Sequence, residues 1–227
     1  MTSAPNAQFN LAKPDSLAIR TATRMRHRMF AMFMEEFRPT PQDTALDLGV
    51  TSDRTYEHSN YFEALYPHKD RIVAAGLQDA SFLETLYPGV RYVEADALRL
   101  PFADKSFDLV HSAAVIEHVG SFANQATMIA EALRVARRGV CITTPNRWFP
   151  IEFHTVTPLI HWLPKPACRA IFRRLGFGPL AEEETLNLMS ESEIRAATAG
   201  FPDWRFNFAG TRLLGWKSNL ILFGHRA

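Results

Sequence analysis

The sequence predicts an α/β fold, a parallel sheet with helices on both faces, and two observations carry that prediction. Five short apolar runs, at 44–49, 71–77, 90–96, 107–113 and 139–144, are interleaved with helix-period segments at 57–66, 80–86 and 122–137. Strand and helix alternating at this spacing mean βαβ crossovers, which make parallel neighbours and place the helices on the sheet's two faces. The first run also ends in glycine, Leu46-Asp-Leu-Gly49. Open α/β sheets bind ligands beyond the carboxyl ends of their strands, and a glycine there lets the backbone approach a ligand closely.

From Ser16 to Phe37 the apolar residues Ile19, Ala22, Met29, Phe30, Phe33 and Phe37 recur at helical spacing, and Pro39 and Pro41 end the segment. Arg20, Arg24, Arg26 and Arg28 give its first half a basic face. That face is either simply solvated or set against an anionic membrane surface or substrate. The first fourteen residues, with Pro5 and Pro14, read as a frayed end or short cap. Phe122 to Arg137 carries Met128, Ile129, Ala132, Leu133 and Val135 at helical spacing. After Pro145 the alternation breaks into a long excursion, Asn146 to Leu188, with five prolines. A helix from Ser190 to Ala199 opens on a Ser-x-x-Glu capping box, Ser190 to Glu193. Strand-like runs at 205–214 and 218–225, joined through Gly215, read as an antiparallel hairpin. The division expected is an N-terminal helical cap (1–43), a ligand-binding core (44–145), a substrate-side lid (146–189), and a final helix with an edge hairpin (190–227).

Composition excludes several classes. The 227 residues suit one layered domain, 47% hydrophobic and 22% charged. A formal net charge of +1 provides no field that would attract a nucleic acid. Cys141 and Cys168 are too few for a disulfide framework, and Cys141, inside an apolar run, reads as a buried thiol. No basic stretch followed by an apolar one opens the chain, and no segment approaches the roughly 20 apolar residues of a membrane span. A cytoplasmic protein is expected.

Three further segments give the pattern its chemistry. Glu94-Ala-Asp-Ala97 closes the third strand; Leu100-Pro-Phe-Ala-Asp-Lys-Ser-Phe-Asp-Leu-Val110 leads into the fourth; Ala113-Ala-Val-Ile-Glu-His-Val119 follows it. Together with Leu46-Asp-Leu-Gly49 and the helix ending Arg134-Val-Ala-Arg-Arg-Gly139, they resemble the class I S-adenosylmethionine-dependent methyltransferases, in particular the ubiquinone-biosynthesis-like branch acting on small molecules. The resemblance implies a Rossmann-like, seven-stranded mixed sheet with its last strand antiparallel, and S-adenosyl-L-methionine as cofactor. It assigns Asp47 and Gly49, with the backbone of Val50 and Thr51, to the methionine and ribose. It further assigns Gln78 and Asp79 to the ribose hydroxyls, Asp96, Ala97 and Leu98 to the adenine, and Ser112 to the reacting end. A carboxylate suits hydroxyls or an exocyclic amine because, ionised, it only accepts.

The chain departs from the family at two places. Val50-Thr-Ser-Asp53 replaces the further glycines of the loop, so the loop needs another backbone path. Gln78 stands where the family has an acid, and offers a hydrogen bond without charge assistance.

On the acceptor side, Glu117-His118 matches a pair that ubiquinone-type relatives complete with an upstream acid to hold a divalent metal. Here that position is Ala114, and no metal is expected. His118 reads as a general base, since imidazole titrates near neutrality, or else the pair merely opens the next helix. Thr144 to Thr155 crowds Asn146, Arg147, Glu152 and His154 into an aromatic loop. These read as substrate-side residues, with His154 a second candidate base, or as a loop held by its own hydrogen bonds. Pro158 to Phe177 is amphipathic, and fits a packed lid, a roof over an apolar pocket, or a peripheral membrane contact. The acceptor expected is a small molecule or a lipid-linked group, methylated at oxygen. The missing glycines keep open the alternative of a catalytically idle scaffold on the same fold. No Gly-x-Gly-x-x-Gly follows the first strand, no Tyr-x-x-x-Lys occurs, and no Gly-x-Ser-x-Gly occurs, which sets aside nicotinamide oxidoreductases and hydrolases. The oligomeric state is not encoded in any of these features.

Overall fold

The computed structural model describes residues 16–56 and 58–227, so the expectation for the first fourteen residues lies outside the described residues. In chain order the elements are α1 (Leu17–Phe37), β1 (Ala45–Leu48), α2 (Tyr61–Leu65), β2 (Ile72–Gly76), α3 (Phe82–Leu86), β3 (Arg91–Glu94), β4 (Phe107–Ala113), α4 (Phe122–Val135), β5 (Ala136–Pro145), α5 (Lys165–Arg174), α6 (Glu191–Thr198), β6 (Trp204–Leu213) and β7 (Trp216–Arg226). One sheet holds the seven strands in the order β3-β2-β1-β4-β5-β7-β6. The first five pair in parallel, and β7 runs antiparallel to both β5 and β6. The Rossmann-like mixed sheet expected from the sequence is the one observed.

Period-two alternation builds the two faces. In β5, Val140 and Ile142 enter the core shared with α4 and α6, whereas Cys141 enters the core shared with α1, α2 and α3. In β7, Leu220 and Leu222 face the first core and Ile221 and Phe223 the second. Against the second core α1 lays Met29, Phe33 and Phe37, with Phe33 fully buried and edge-on to Phe62 and His111. Caps set the helix starts as read from the sequence. Ser16 accepts from the Ile19 N–H, and Ser190 and Glu193 form the reciprocal capping box.

Two departures from the expected layout bear on the packing. Helix α4 runs directly into β5, which starts at Ala136 rather than Gly139. Arg137 therefore sits on a strand, where it ion-pairs with Asp108 of β4, and this contact between elements overrides the helical pattern. The lid is not one helix: a short turn at Ile160–Trp162, with His161 buried, precedes α5, and Cys168, Phe172, Leu180 and Leu186 form a small core of its own.

The β6–β7 hairpin closes through Leu214 and Gly215, at φ 51° and 84°. Two successive positive φ values are those of a type I′ turn, which favours Asn-Gly. Leu214 is 90% exposed and contributes no burial to offset that backbone cost. Leu214→Asn is expected to raise stability by up to about 1 kcal/mol in urea denaturation; a decrease would show that the leucine side chain is held by a contact.

Candidate active site

The order of strands reverses between β1 and β4, and there the chain leaves both strands in tight turns. Gly49 has φ 96°, and a Cβ on it would lie 2.1 Å from Val115 Cγ2. A Cβ on Gly76 would lie 2.5 Å from the Val50 carbonyl oxygen. The Gly49 and Val50 N–H groups both donate to Ala75 O, at 2.7 and 3.1 Å, and fold the end of β1 over the end of β2. The loop that lacks the family's other glycines is held by side chains instead. Asn60 accepts from the Thr51 N–H at 2.9 Å and donates to Thr51 O at 3.0 Å, while the Ser52 hydroxyl donates to Gln78 Oε1 at 2.7 Å. That clasp is the alternative backbone path the sequence required.

Above these turns lies a cavity of about 830 Å³. Gly49, Val50, Thr51, Gln78, Asp96, Ala97 and Leu98 line one end, and His118 and His154 the other. Helix α1 covers it with Met25, Arg26 and Met29. Asp96 Oδ1 accepts from the Leu98 N–H at 2.9 Å, which shapes the turn after β3.

Three residues assigned to the cofactor end are engaged elsewhere. Ser112 is fully buried and donates to Leu48 O at 2.7 Å, stitching β4 to β1. Asp79 is exposed and accepts from the Ser81 N–H at the start of α3. Asp47 points beneath the sheet's end into a buried cluster. Its Oδ1 meets His111 Nδ1 at 2.5 Å, and His111 Nε2 meets the Tyr61 hydroxyl at 3.1 Å. Burial pushes Asp47 up to about 7, against the lowering effect of the Glu63 carboxyl beside it. Glu63 is raised well above its usual value by burial and then by Asp47, since two carboxylates packed together cannot both ionise. Burial brings His111 down to about 4, so it is neutral and donates from Nδ1 to Asp47.

The acceptor-side residues also divide. Asn146 donates to Lys217 O, and Arg147 donates to the carbonyls of His161 and Leu163, so both anchor the lid rather than face the cavity. Glu152 is buried behind His154 with both oxygens engaged: Oε1 by the ring Nδ1 (2.7 Å) and backbone N–H of His154, Oε2 by the N–H and hydroxyl of Thr155. Burial alone would raise Glu152, but His154 and these donors bring it down to about 2. Burial alone would lower His154, and the charge and hydrogen bond of Glu152 outweigh it, so the imidazole is raised. His118 packs edge-on to His154 with ring centroids 4.9 Å apart, and its Nδ1 donates to Thr185 O at 2.6 Å. Burial, and then the charge of His154, bring His118 down to about 3. Glu117, fully buried, accepts from the Thr144 hydroxyl at 2.9 Å, and burial pushes it up to about 7.

Residues 56–143 match a family of methyltransferase domains. No curated protein matches the sequence. Among solved structures, an S-adenosylmethionine-dependent methyltransferase from Aquifex aeolicus superposes with a TM-score of 0.56 at 12% identity, over 88% of this chain and 89% of that one. Magnesium protoporphyrin IX methyltransferase from Synechocystis, with bound S-adenosylhomocysteine, gives 0.54 at 14% identity over 93% and 84%. The PH0226 protein of Pyrococcus horikoshii gives 0.58 at 15% over 95% and 94%. The fold is that of the S-adenosylmethionine-dependent methyltransferases.

Sequence reasoning missed Asn60, Tyr61 and Glu63, and placed Arg26 only on a basic face. Arg26 had a signal. It stands four, seven and eleven residues before Phe30, Phe33 and Phe37, on the buried stripe of α1 and not on its basic face. Asn60 and Glu63 carried none, because their partners are brought to them only by the sheet.

Gly49→Ala is expected to cost about 3 kcal/mol in denaturant unfolding, from the clash with Val115 and the positive φ; an unchanged midpoint would mean that the two loops are not in contact. Asp47 binds its proton more tightly folded than unfolded, so its contribution to stability is present at low pH and falls as pH rises through about 7. Asp47→Asn should therefore gain stability relative to wild type between pH 5 and pH 8. A difference independent of pH would show that Asp47 titrates normally.

Proposed function

We propose that this chain is an S-adenosylmethionine-dependent methyltransferase that acts at oxygen on a small apolar or lipid-linked acceptor. The observation that carries the reading is a single cavity with two chemically different ends, a glycine-and-carboxylate cradle at the switch point and a histidine pair opposite. The cradle fits the cofactor. Gly49 and Gly76 let Val115 and the Val50 carbonyl pack directly onto the strand ends that floor the cradle, Gln78 stands at the edge where ribose hydroxyls would be met, and Asp96 with the backbone of Ala97 and Leu98 suits an adenine ring. S-adenosylmethionine brings a methyl group already activated on a sulfonium.

The protein's share is alignment and proton handling. Met25, Met29, Leu48, Val115 and Phe153 make the cavity largely apolar, which excludes water and favours an apolar acceptor. Of the two candidate bases, His154 is the better placed, since Glu152 at its Nδ1 stabilises the imidazolium formed when Nε2 takes the acceptor's hydroxyl proton. His118, held far below neutrality, is a weak base and serves to orient. The lid supports a lipid-linked acceptor or contact with a membrane surface, because Trp148, Trp162 and Trp216 adjoin one another there, with Trp148 and Trp216 half exposed.

Calorimetric titration with S-adenosylmethionine and S-adenosylhomocysteine is expected to give one site, weakened at least tenfold by Asp96→Ala. His154→Ala should leave that affinity within about twofold while abolishing methylation in a screen of apolar phenols and lipid-linked sugars. Absence of binding at millimolar ligand would overturn the reading in favour of an idle scaffold.

A further inference from the structure

The acceptor end of the cavity holds a cluster whose arrangement is not explained by proton transfer. A nitrogen from each of His118 and His154 and a carboxylate oxygen of Glu117 lie within 4.8 Å of one another. Each of the three is oriented from behind by a second group. His118 Nδ1 is bound by the Thr185 carbonyl, His154 Nδ1 by the Glu152 carboxylate, and Glu117 Oε2 by the Thr144 hydroxyl. With both Nδ1 atoms carrying their protons toward those partners, the ring lone pairs are on the Nε2 atoms. Glu117 Oε1 is fully buried and has no hydrogen-bond partner among the described residues.

We propose that Glu117, His118 and His154 form a site for a divalent transition-metal ion, open toward the cavity. Two imidazoles and one carboxylate, each fixed by an outer partner, with a position left for an exogenous ligand, is how proteins build reactive metal centres. The nitrogen and oxygen donors suit Zn²⁺, Co²⁺, Fe²⁺ or Mn²⁺ over Mg²⁺ or Ca²⁺. Bonds of about 2.0–2.2 Å put the donors of a tetrahedral ion roughly 3.4 Å apart, so side-chain adjustments on the order of an ångström would close the set. The expectation of no metal rested on Ala114 lacking a donor. The fold supplies the third donor from His154, 40 positions further along, through the loop that leaves β5. With the ion bound, His154 would be a ligand rather than a base, and the ion would make a coordinated acceptor hydroxyl more acidic, its proton leaving to solvent.

The site is independent of the cofactor, so it is tested without it. The 227-residue chain, stripped with a chelator and dialysed, is titrated with Zn²⁺ and with Mn²⁺ by calorimetry, with folding followed by circular dichroism. One equivalent of Zn²⁺ is expected to bind at micromolar Kd or tighter. His154→Ala and Glu117→Gln should each weaken it at least 100-fold, and Glu152→Gln about 10- to 100-fold through the lost outer partner. The doubly substituted His27→Ala/His58→Ala protein, which removes the other adjacent histidine pair among the described residues, should bind as wild type. Failure of the folded wild type to bind one equivalent, or binding that survives both Glu117→Gln and Glu152→Gln, overturns the proposal even if His154→Ala fails to fold.

Discussion

At the switch point three stretches of backbone must pass closer together than side chains allow. The end of β1 lies under the chain that leaves β4, and the end of β2 lies under the loop that leaves β1. Gly49 and Gly76 make both approaches possible, since a Cβ on either would meet Val115 or the Val50 carbonyl well inside contact distance. Ala114, at φ 56°, turns the chain out of β4 so that Val115 lies over Gly49 and the turn at Ile116–His118 faces the cavity. The carbonyl of Ala75 receives both N–H groups of the β1 exit. Remove this convergence and neither end of the cavity keeps its geometry.

Two buried polar clusters depend on that convergence, and they have opposite character. Asp47, Glu63, His111 and Tyr61 form a nearly closed chain beneath the cofactor end, where burial holds the carboxyls protonated or shared and the imidazole neutral. Such a cluster fixes the register of β1 against β4 and α2. The Glu117, His118, Glu152 and His154 cluster instead keeps one full carboxylate, because Glu152 has donors at both oxygens. It also opens on the cavity. Of these two clusters, the one that reaches the cavity keeps a paired charge, Glu152 with His154, in an interior that penalises unpaired ions.

Around both ends, the closing walls come from outside the five-strand core. Helix α1 contributes Arg26 between two methionines, and the lid contributes His154 and Phe153 while its own small core and Arg147 hold it in place. The core thus supplies the cradle, and the peripheral segments decide what else fits beside it.

Hydrophobic period by itself determined the layer architecture of this protein. Alternation at Val140 to Ile142 and the stripe through Phe30, Phe33 and Phe37 report local burial, and caps such as Ser190 with Glu193 are written within four residues. The strand-end turns at Gly49 and Asp96-Ala-Leu98 were legible for the same reason, because their place at one edge of the sheet follows from topology. The opposite end was legible only in part. His118 and His154 were visible as titratable residues, but their meeting, and that of Glu117 with Thr144, depends on where the loop after β5 folds back. Asp47, Ser112 and Gln78 likewise acquired their partners from strands and loops up to 64 positions away in the chain. Which side chain faces a cavity and which one braces a neighbour is a question of non-local pairing, decided by packing distance in three dimensions, and no period in the sequence carries it.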